Sequence, residues 1–273
     1  MPPPSETATL PSQTRILAIA NQKGGVGKTT TTINLATALA QTGERVLIID
    51  LDPQGNASTG LGIPRTDRAT GTYRLLTDDT ASLAQTTRQT TVPNLAITPA
   101  EPDLAAAEIE LVALTRREFR LRDALRTQSP HSFILIDCPP SLGLLTLNAL
   151  VAADSVLVPL QTEFFALEGI SQLIRTIDMV AKYLNPPLRL QGIVLTMFDR
   201  RNNLSDLVAA DARGFFGTSV YRTVIPRNIR VSEAPSHGKP VLLYDPHSLG
   251  AQSYIALAQE FLARERTQKA SPP

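Results

Sequence analysis

Asn21 to Thr31, NQKGGVGKTTT, is the stretch whose residue types and spacing dictate a chemistry. Gly24, Gly25 and Gly27 can take backbone angles closed to other residues, so successive N–H groups can turn inward and cradle phosphate oxygens. An apolar run, Ile16 to Ala20, precedes the glycines, and a helical pattern with Ile33, Ala36, Leu39 and Ala40 on one face follows them. Strand, glycine loop and helix N-terminus in that order make an anion site. Lys28 is placed to reach β and γ phosphates, and the Thr29 hydroxyl is placed to ligate Mg²⁺. The ordinary phosphate-loop pattern begins with a glycine where this chain has Gln22, and a second lysine, Lys23, opens the loop instead.

Two further segments bring carboxylates toward that loop. Val46 to Leu51, VLIIDL, reads as a buried strand delivering Asp50 and Asp52 to its C-terminal edge, where ligands of open α/β sheets gather. DPQGN, Asp52 to Asn56, then leaves the sheet through a proline and glycine turn. An isolated DPxG would be a turn starter; two acids beside a phosphate loop read as holders of an ion or a water. FILIDCPPS, Phe133 to Ser141, is another apolar strand ending in an acid. Asp137 can hold a water on Mg²⁺, and the turn at Pro139 and Pro140 can carry a loop that senses the terminal phosphate. Cys138 has no histidine or basic partner nearby in sequence and reads as packing, not as a nucleophile.

Strands alternating with helices must hold these groups in place. Leu95 to Thr98 reads as a short strand, Ser155 to Leu160 and Leu190 to Met197 as buried strands around the helical stretch Leu167 to Leu184. A helix from Leu204 to Phe216 leads to a last strand, Ser219 to Val224. That alternation predicts an α/β fold, a doubly wound, mostly parallel sheet flanked by helices. Residues 57–92 read as short helices and loops, and Asp103 to Arg126 as one long or two short helices. Tyr254, Ile255, Ala258, Phe261 and Leu262 at helical spacing predict a C-terminal helix, Leu249 to Arg266, docked on the sheet. Composition predicts disordered tails at 1–14 and 268–273 around a single domain at 15–267.

Charge sets further bounds. Lys and Arg total 26 against 25 acids, so any basic footprint must be local. From Lys182 to Arg230 there are eight basic residues against three acids, which leaves the rest of the chain net acidic. Arg116, Arg117, Arg120, Arg122 and Arg126 form a second basic run, best read as a solvated face. One cysteine excludes an intramolecular disulfide and fits a reducing compartment. No apolar run approaches the roughly 20 residues that span a bilayer.

KGGVGKTTT, DLDPQGN, FILIDCPPS and VIPRNIRVSEAPSHGKP together resemble the deviant Walker A ATPases, most nearly the ParA/Soj partition proteins. The resemblance runs from Ile16 to about Leu262. It implies an ATPase with ATP and Mg²⁺ as cofactors, a P-loop fold and an ATP-dependent sandwich homodimer. Lys23, Gly24, Gly25, Val26, Gly27, Lys28, Thr29 and Thr30 would hold the phosphates, and Thr29, Asp50 and Asp137 the Mg²⁺. Lys23 would reach the partner's phosphates as an arginine finger does, Lys28 would neutralise charge, and Asp52 would orient the attacking water. Met197, Pro226, Arg227 and Asn228 would lie along the adenine, and Arg201 and Arg230 match positions that bind double-stranded DNA without sequence preference.

The resemblance further implies a ParB/Spo0J-type centromere-binding partner that stimulates hydrolysis, and a cytoplasmic, nucleoid-associated protein driving chromosome or plasmid segregation. A MinD-like membrane-positioning ATPase is the alternative. That alternative needs a C-terminal helix with a basic polar face, whereas Glu260 and Glu265 interrupt Arg264 and Arg266, so no membrane partner is expected. A nitrogenase iron-protein relative would need paired cluster cysteines, which the single Cys138 excludes.

Overall fold

The strands β1 (Arg15–Ile19), β2 (Val46–Asp50), β3 (Arg88–Gln89), β4 (Leu95–Thr98), β5 (Phe133–Asp137), β6 (Ser155–Gln161), β7 (Arg189–Phe198) and β8 (Val220–Pro226) form one sheet in the order β3-β4-β2-β5-β1-β6-β7-β8. All neighbours run parallel except β3, which is antiparallel to β4. This computed structural model describes residues 14–125, 129–163 and 166–270, excepting the side chains of 166–168, 269 and 270. The central strands are continuous apolar runs because both faces are covered. Alternate residues divide between two cores: Ala18, Leu47, Ile49, Ile134 and Ile136 on one face, Leu17, Ile19, Ile48 and Leu135 on the other.

The helices in chain order are α1 (Lys28–Gln41), α2 (Asn56–Gly60), α3 (Thr72–Thr77), α4 (Leu83–Thr86), α5 (Leu104–Ala113), α6 (Arg120–Leu125), α7 (Leu144–Ala152), α8 (Ala166–Tyr183), α9 (Asn203–Phe216), α10 (Ile229–Glu233), α11 (Val241–Tyr244) and α12 (Leu249–Ala270). The core containing Leu35, Leu39, Tyr254 and Phe261 lies under α1 and α12; the core containing Leu111, Leu145, Ile170 and Val208 lies under α5, α7, α8 and α9. Gly43 follows the end of α1 with φ 93° and donates its N–H to Ala40 O, a left-handed conformation that suits glycine. Helix α1 is buried on nearly every side, not on one face alone, because α12 covers its back.

The C-terminal helix is docked as its spacing predicts. Tyr254, Leu257, Ala258 and Phe261 are buried, Phe261 meets Phe133 edge-on at 5.6 Å, and Glu265 pairs with Arg15 at 2.9 Å. It runs to Ala270, past the expected end of the domain at 267. The expected tail residues 1–13 and 271–273 lie outside the described residues. Residues 103–125 make two helices, separated where Arg116 takes a left-handed φ of 54°. The arginines there pair with acids: Arg116 and Arg122 with Asp123, Arg117 with Glu118, Arg120 with Asp79. That is a solvated, charge-balanced face; Arg126 lies outside the described residues.

The connection from β1 to β2 passes β5 on one side, whereas the chain from β5 reaches β6 on the other side of β1. Connections therefore diverge at the C-terminal end of β1, which leaves a crevice there.

Candidate active site

The glycine loop occupies that crevice. Gly25 and Gly27 take positive φ, 73° and 87°, whereas Gly24 stays in the ordinary region. A Cβ built on Gly24 or Gly25 would meet nothing within 4 Å, so this part of the loop borders open space. Asn21 anchors the loop at one side: its Nδ2 donates to Pro159 O at 2.7 Å and its Oδ1 accepts from Lys23 N at 3.0 Å. On the other side Thr196 Oγ1 donates to Val26 O at 2.8 Å. The ends of β6 and β7 thus hold the cradle in shape.

Lys28, the first residue of α1, folds its Nζ back onto Lys23 O at 3.0 Å. Burial pulls its pKa down, opposed first by the charge of Asp137. A desolvated ammonium with one carbonyl partner is poised to take phosphate oxygens in exchange. At the loop's mouth the Lys23 ammonium makes an ion pair with Glu163, with both side chains partly exposed.

Parallel pairing of β2 with β5 sets Asp50 directly beside Asp137. Both are wholly buried. Asp50 Oδ2 accepts from Ser58 N at 2.8 Å and from Ser58 Oγ at 2.6 Å, and Asp137 Oδ1 accepts from Thr32 Oγ1 at 3.0 Å. Asp50 Oδ1 and Asp137 Oδ2 have no hydrogen-bond partner. Burial raises both pKa values, repulsion between neighbouring carboxylates adds to it, and hydroxyls of Ser58, Thr29 and Thr32 pull the other way. Two orphaned carboxylate oxygens beside the Thr29 hydroxyl fit a hard divalent cation. Among the described residues no three acids, histidines or cysteines gather as a full ligand set. A cation here would therefore rely on water and phosphate oxygens as well, which is the habit of Mg²⁺.

Asp52 lies just beyond the end of β2. Its Oδ1 accepts from Gln54 N at 2.9 Å and its carbonyl accepts from Gly55 N at 2.8 Å. The structure thus brings Lys23, the loop glycines, Lys28, Thr29, Asp50, Asp52 and Asp137 to one sheet edge. Cys138 is buried with its thiol pKa pushed up by burial, which agrees with a packing role. The sequence reading missed Ser58, Thr32 and Glu163. Thr32 lies one turn beyond Lys28 and Thr29 on the same helix face, a spacing that would have flagged it; Ser58 and Glu163 carry no local signal.

At the neighbouring strand ends, Phe198 pairs with Pro226, and Arg227 N donates to Phe198 O at 3.0 Å. Met197 and residues 226–228 therefore lie side by side, linked to the loop through Thr196. Met197 adopts φ 50°, an uncommon conformation for a non-glycine residue. Asn228 Oδ1 caps α10 by accepting from Arg230 N at 2.9 Å. Arg201 and Arg230 sit on the same edge, and both are engaged within the chain. Arg201 grips Asp199 through two bonds of 3.0 and 2.9 Å; Arg230 meets Glu233 at 3.0 Å and Asp245 at 3.4 Å.

Comparison with known proteins agrees with this geometry. A family model described as an AAA domain matches residues 14–190. The chain is 60% identical to the chromosome partitioning protein ParA of Caulobacter vibrioides, over 94% of this chain and 97% of that protein. It is 54% identical to the sporulation initiation inhibitor protein Soj of Bacillus subtilis, over 91% and 98%. Among solved structures, a protein described as cobyrinic acid a,c-diamide synthase from Mycobacterium smegmatis, with bound ADP and magnesium, superposes with a TM-score of 0.82 at 36% identity, covering 94% of this chain and 97% of that one. With these relatives and this site, the chain belongs to the ParA/Soj family of P-loop partition ATPases.

Proposed function

We propose that this ATPase closes into a homodimer around ATP and, as a dimer, binds double-stranded DNA without sequence preference. A ParB-type partner then stimulates hydrolysis and resets the cycle. The observation that carries the reading is the second lysine: Lys23 stands at the mouth of a cradle that already has Lys28 inside it. One lysine is enough to serve the phosphates of one subunit; the other is free to serve a facing subunit once it leaves Glu163.

Phosphoryl transfer needs positioning and charge neutralisation more than covalent help. Lys28 and the loop N–H groups hold the β and γ phosphates. Thr29, with Asp50 and Asp137, would hold Mg²⁺, which supplies positive charge to the triphosphate. Asp52 orients the attacking water, and Lys23 offsets the repulsion between two triphosphates facing each other across the interface. Met197 and Pro226 to Asn228 flank the base. After hydrolysis the anchor for Lys23 weakens and the dimer separates.

The DNA reading rests on Arg201 and Arg230 lying at the same edge, with Arg200 and Arg227 beside them in sequence. Dimerisation doubles the cationic patch, so ATP can switch DNA affinity by counterion release. The membrane-positioning alternative is disfavoured by the burial of Tyr254 and Phe261, which commits the apolar face of α12 to the core. Co-sedimentation with DNA in ATP, in ADP and without nucleotide tests the whole reading. Binding only with ATP is expected; equal binding in all three conditions would overturn it.

A further inference from the structure

Arg68 has only 3% of its surface exposed, and no carboxylate is paired with it among the described residues. A buried cation is costly unless its geometry is put to use. Its guanidinium spends its donors on neutral acceptors: Nη1 on Gly55 O at 3.2 Å, Nη2 on Thr59 Oγ1 at 2.8 Å and Ile63 O at 2.6 Å, Nε on Ile63 O at 3.1 Å. Burial pulls its pKa down, opposed by the charge of Asp50, which lies near enough to act on it without forming an ion pair.

What Arg68 holds is the turn that begins at Asp52. Gly55 N donates to Asp52 O, and Gln54 N donates to the Asp52 carboxylate. Gly55 carries a φ of 65°, and a Cβ on it would come within 2.5 Å of Arg68 Nη1. The Gly55 carbonyl also accepts from Thr59 N and Thr59 Oγ1, each at 3.0 Å. Arg68 thus reaches across from beyond α2 and ties one end of the Asp52 turn to Thr59 and to the Ile63 carbonyl. A flat fork with several fixed donors can do this; an ammonium or an amide cannot meet all the acceptors at once.

We propose that Arg68 is a positioning residue for hydrolysis, clamping the Asp52–Gly55 turn so that the Asp52 carboxylate stands where the attacking water must be held. This rests on the reading of Asp52 given above. The test is steady-state ATPase kinetics with separate nucleotide binding on the full chain, for Arg68→Gln, Arg68→Lys, Thr59→Ala and Asp52→Ala.

Arg68→Gln should lose about tenfold to a hundredfold in kcat, since misplacement of a catalytic group by about 1 Å costs on that order. Its affinity for a non-hydrolysable ATP analogue should stay within about twofold of wild type, because Arg68 makes no hydrogen bond to the phosphate loop. Arg68→Lys should recover only a small part of the loss. Unchanged kcat with weakened nucleotide binding or a lowered melting temperature would overturn the clamp and leave Arg68 a packing residue. If Arg68→Gln does not fold, Thr59→Ala decides: it removes one acceptor of Arg68 and the hydroxyl's own bond to the Gly55 carbonyl, and kcat should fall about threefold at unchanged affinity, whereas wild-type kcat overturns the proposal. Asp52→Ala separates the two layers. Lost turnover there with normal kcat in Arg68→Gln sinks the clamp alone; retained turnover in Asp52→Ala sinks the Asp52 reading and the clamp with it.

Discussion

Lys23 and Glu163, 140 positions apart in sequence, form an ion pair across the mouth of the phosphate loop. In the lone chain, therefore, the lysine assigned to the partner's phosphates already has a partner of its own. A half-exposed pair of this kind is worth about 0–1 kcal/mol, so Lys23 can leave it readily once a triphosphate faces it.

Lys23→Ala should bind ATP as tightly as wild type and remain monomeric, because Lys28 still serves the phosphates of its own subunit. Light scattering with ATP checks this, and a dimer of normal affinity would refute the role across the interface. Glu163→Gln should change the stability of the nucleotide-free monomer by no more than about 1 kcal/mol.

Asp52→Ala should show the opposite pattern. The cradle, Lys23 and the buried acid pair stay intact, so the variant should dimerise and remain loaded with ATP. Turnover should fall by about 10²–10⁴, the usual worth of a positioned acid or base. Scattering that shows only monomers would place Asp52 in assembly and not in hydrolysis.

The sheet and the residues of the cradle were legible in the sequence because period and spacing are local. Four apolar residues followed by aspartate can be read as a strand edge without knowing its neighbours, as for Asp50 and Asp137. Partners supplied from afar were not. Ser58 on Asp50, Glu163 on Lys23 and Arg68 on Gly55 are set by how loops return to the sheet edge, and nothing in their own neighbourhoods marks them. The basic run at 116–122 is neutralised by acids in and around it, including the distant Asp79.

Arg201 and Arg230 are ion-paired within the chain, so under the proposed DNA-binding role phosphates would have to replace carboxylates. Hydrogen bonds from Arg201 pull the Asp199 pKa down to about 2. If a dimer neutralises about six phosphates, log affinity should fall with log salt at a slope near −5. Arg201→Ala with Arg230→Ala should make the slope shallower by about 0.9 for each phosphate that is no longer neutralised. Asp199→Asn should tighten binding by freeing Arg201. A double arginine variant that holds DNA with the wild-type slope would move the DNA face elsewhere.

The buried pair Asp50 and Asp137 gives the nucleotide-free protein an unusual pH dependence. Burial raises both pKa values, and repulsion adds to it, from Asp50 on Asp137 and from Asp52 on Asp50, so the folded state binds more protons than the unfolded chain from the ordinary carboxylate range up to about 8. Stability from these groups is thus present at low pH and lost as pH rises through the raised values. The melting temperature without ligand should decline between about pH 5 and pH 8, where one excess bound proton is worth about 1.4 kcal/mol per pH unit. Mg²⁺ with an ATP analogue should flatten the slope, because the cation offsets the charge that protons otherwise neutralise. Asp137→Asn should flatten it without any ligand, raise the stability of the nucleotide-free protein at pH 8 by about 1–3 kcal/mol, and abolish the Mg²⁺-dependent stabilisation. Thermal melts over this range decide it: a nucleotide-free protein that grows more stable toward pH 8, or an Asp137→Asn variant that keeps its response to Mg²⁺, would show that this pair is not where the cation binds.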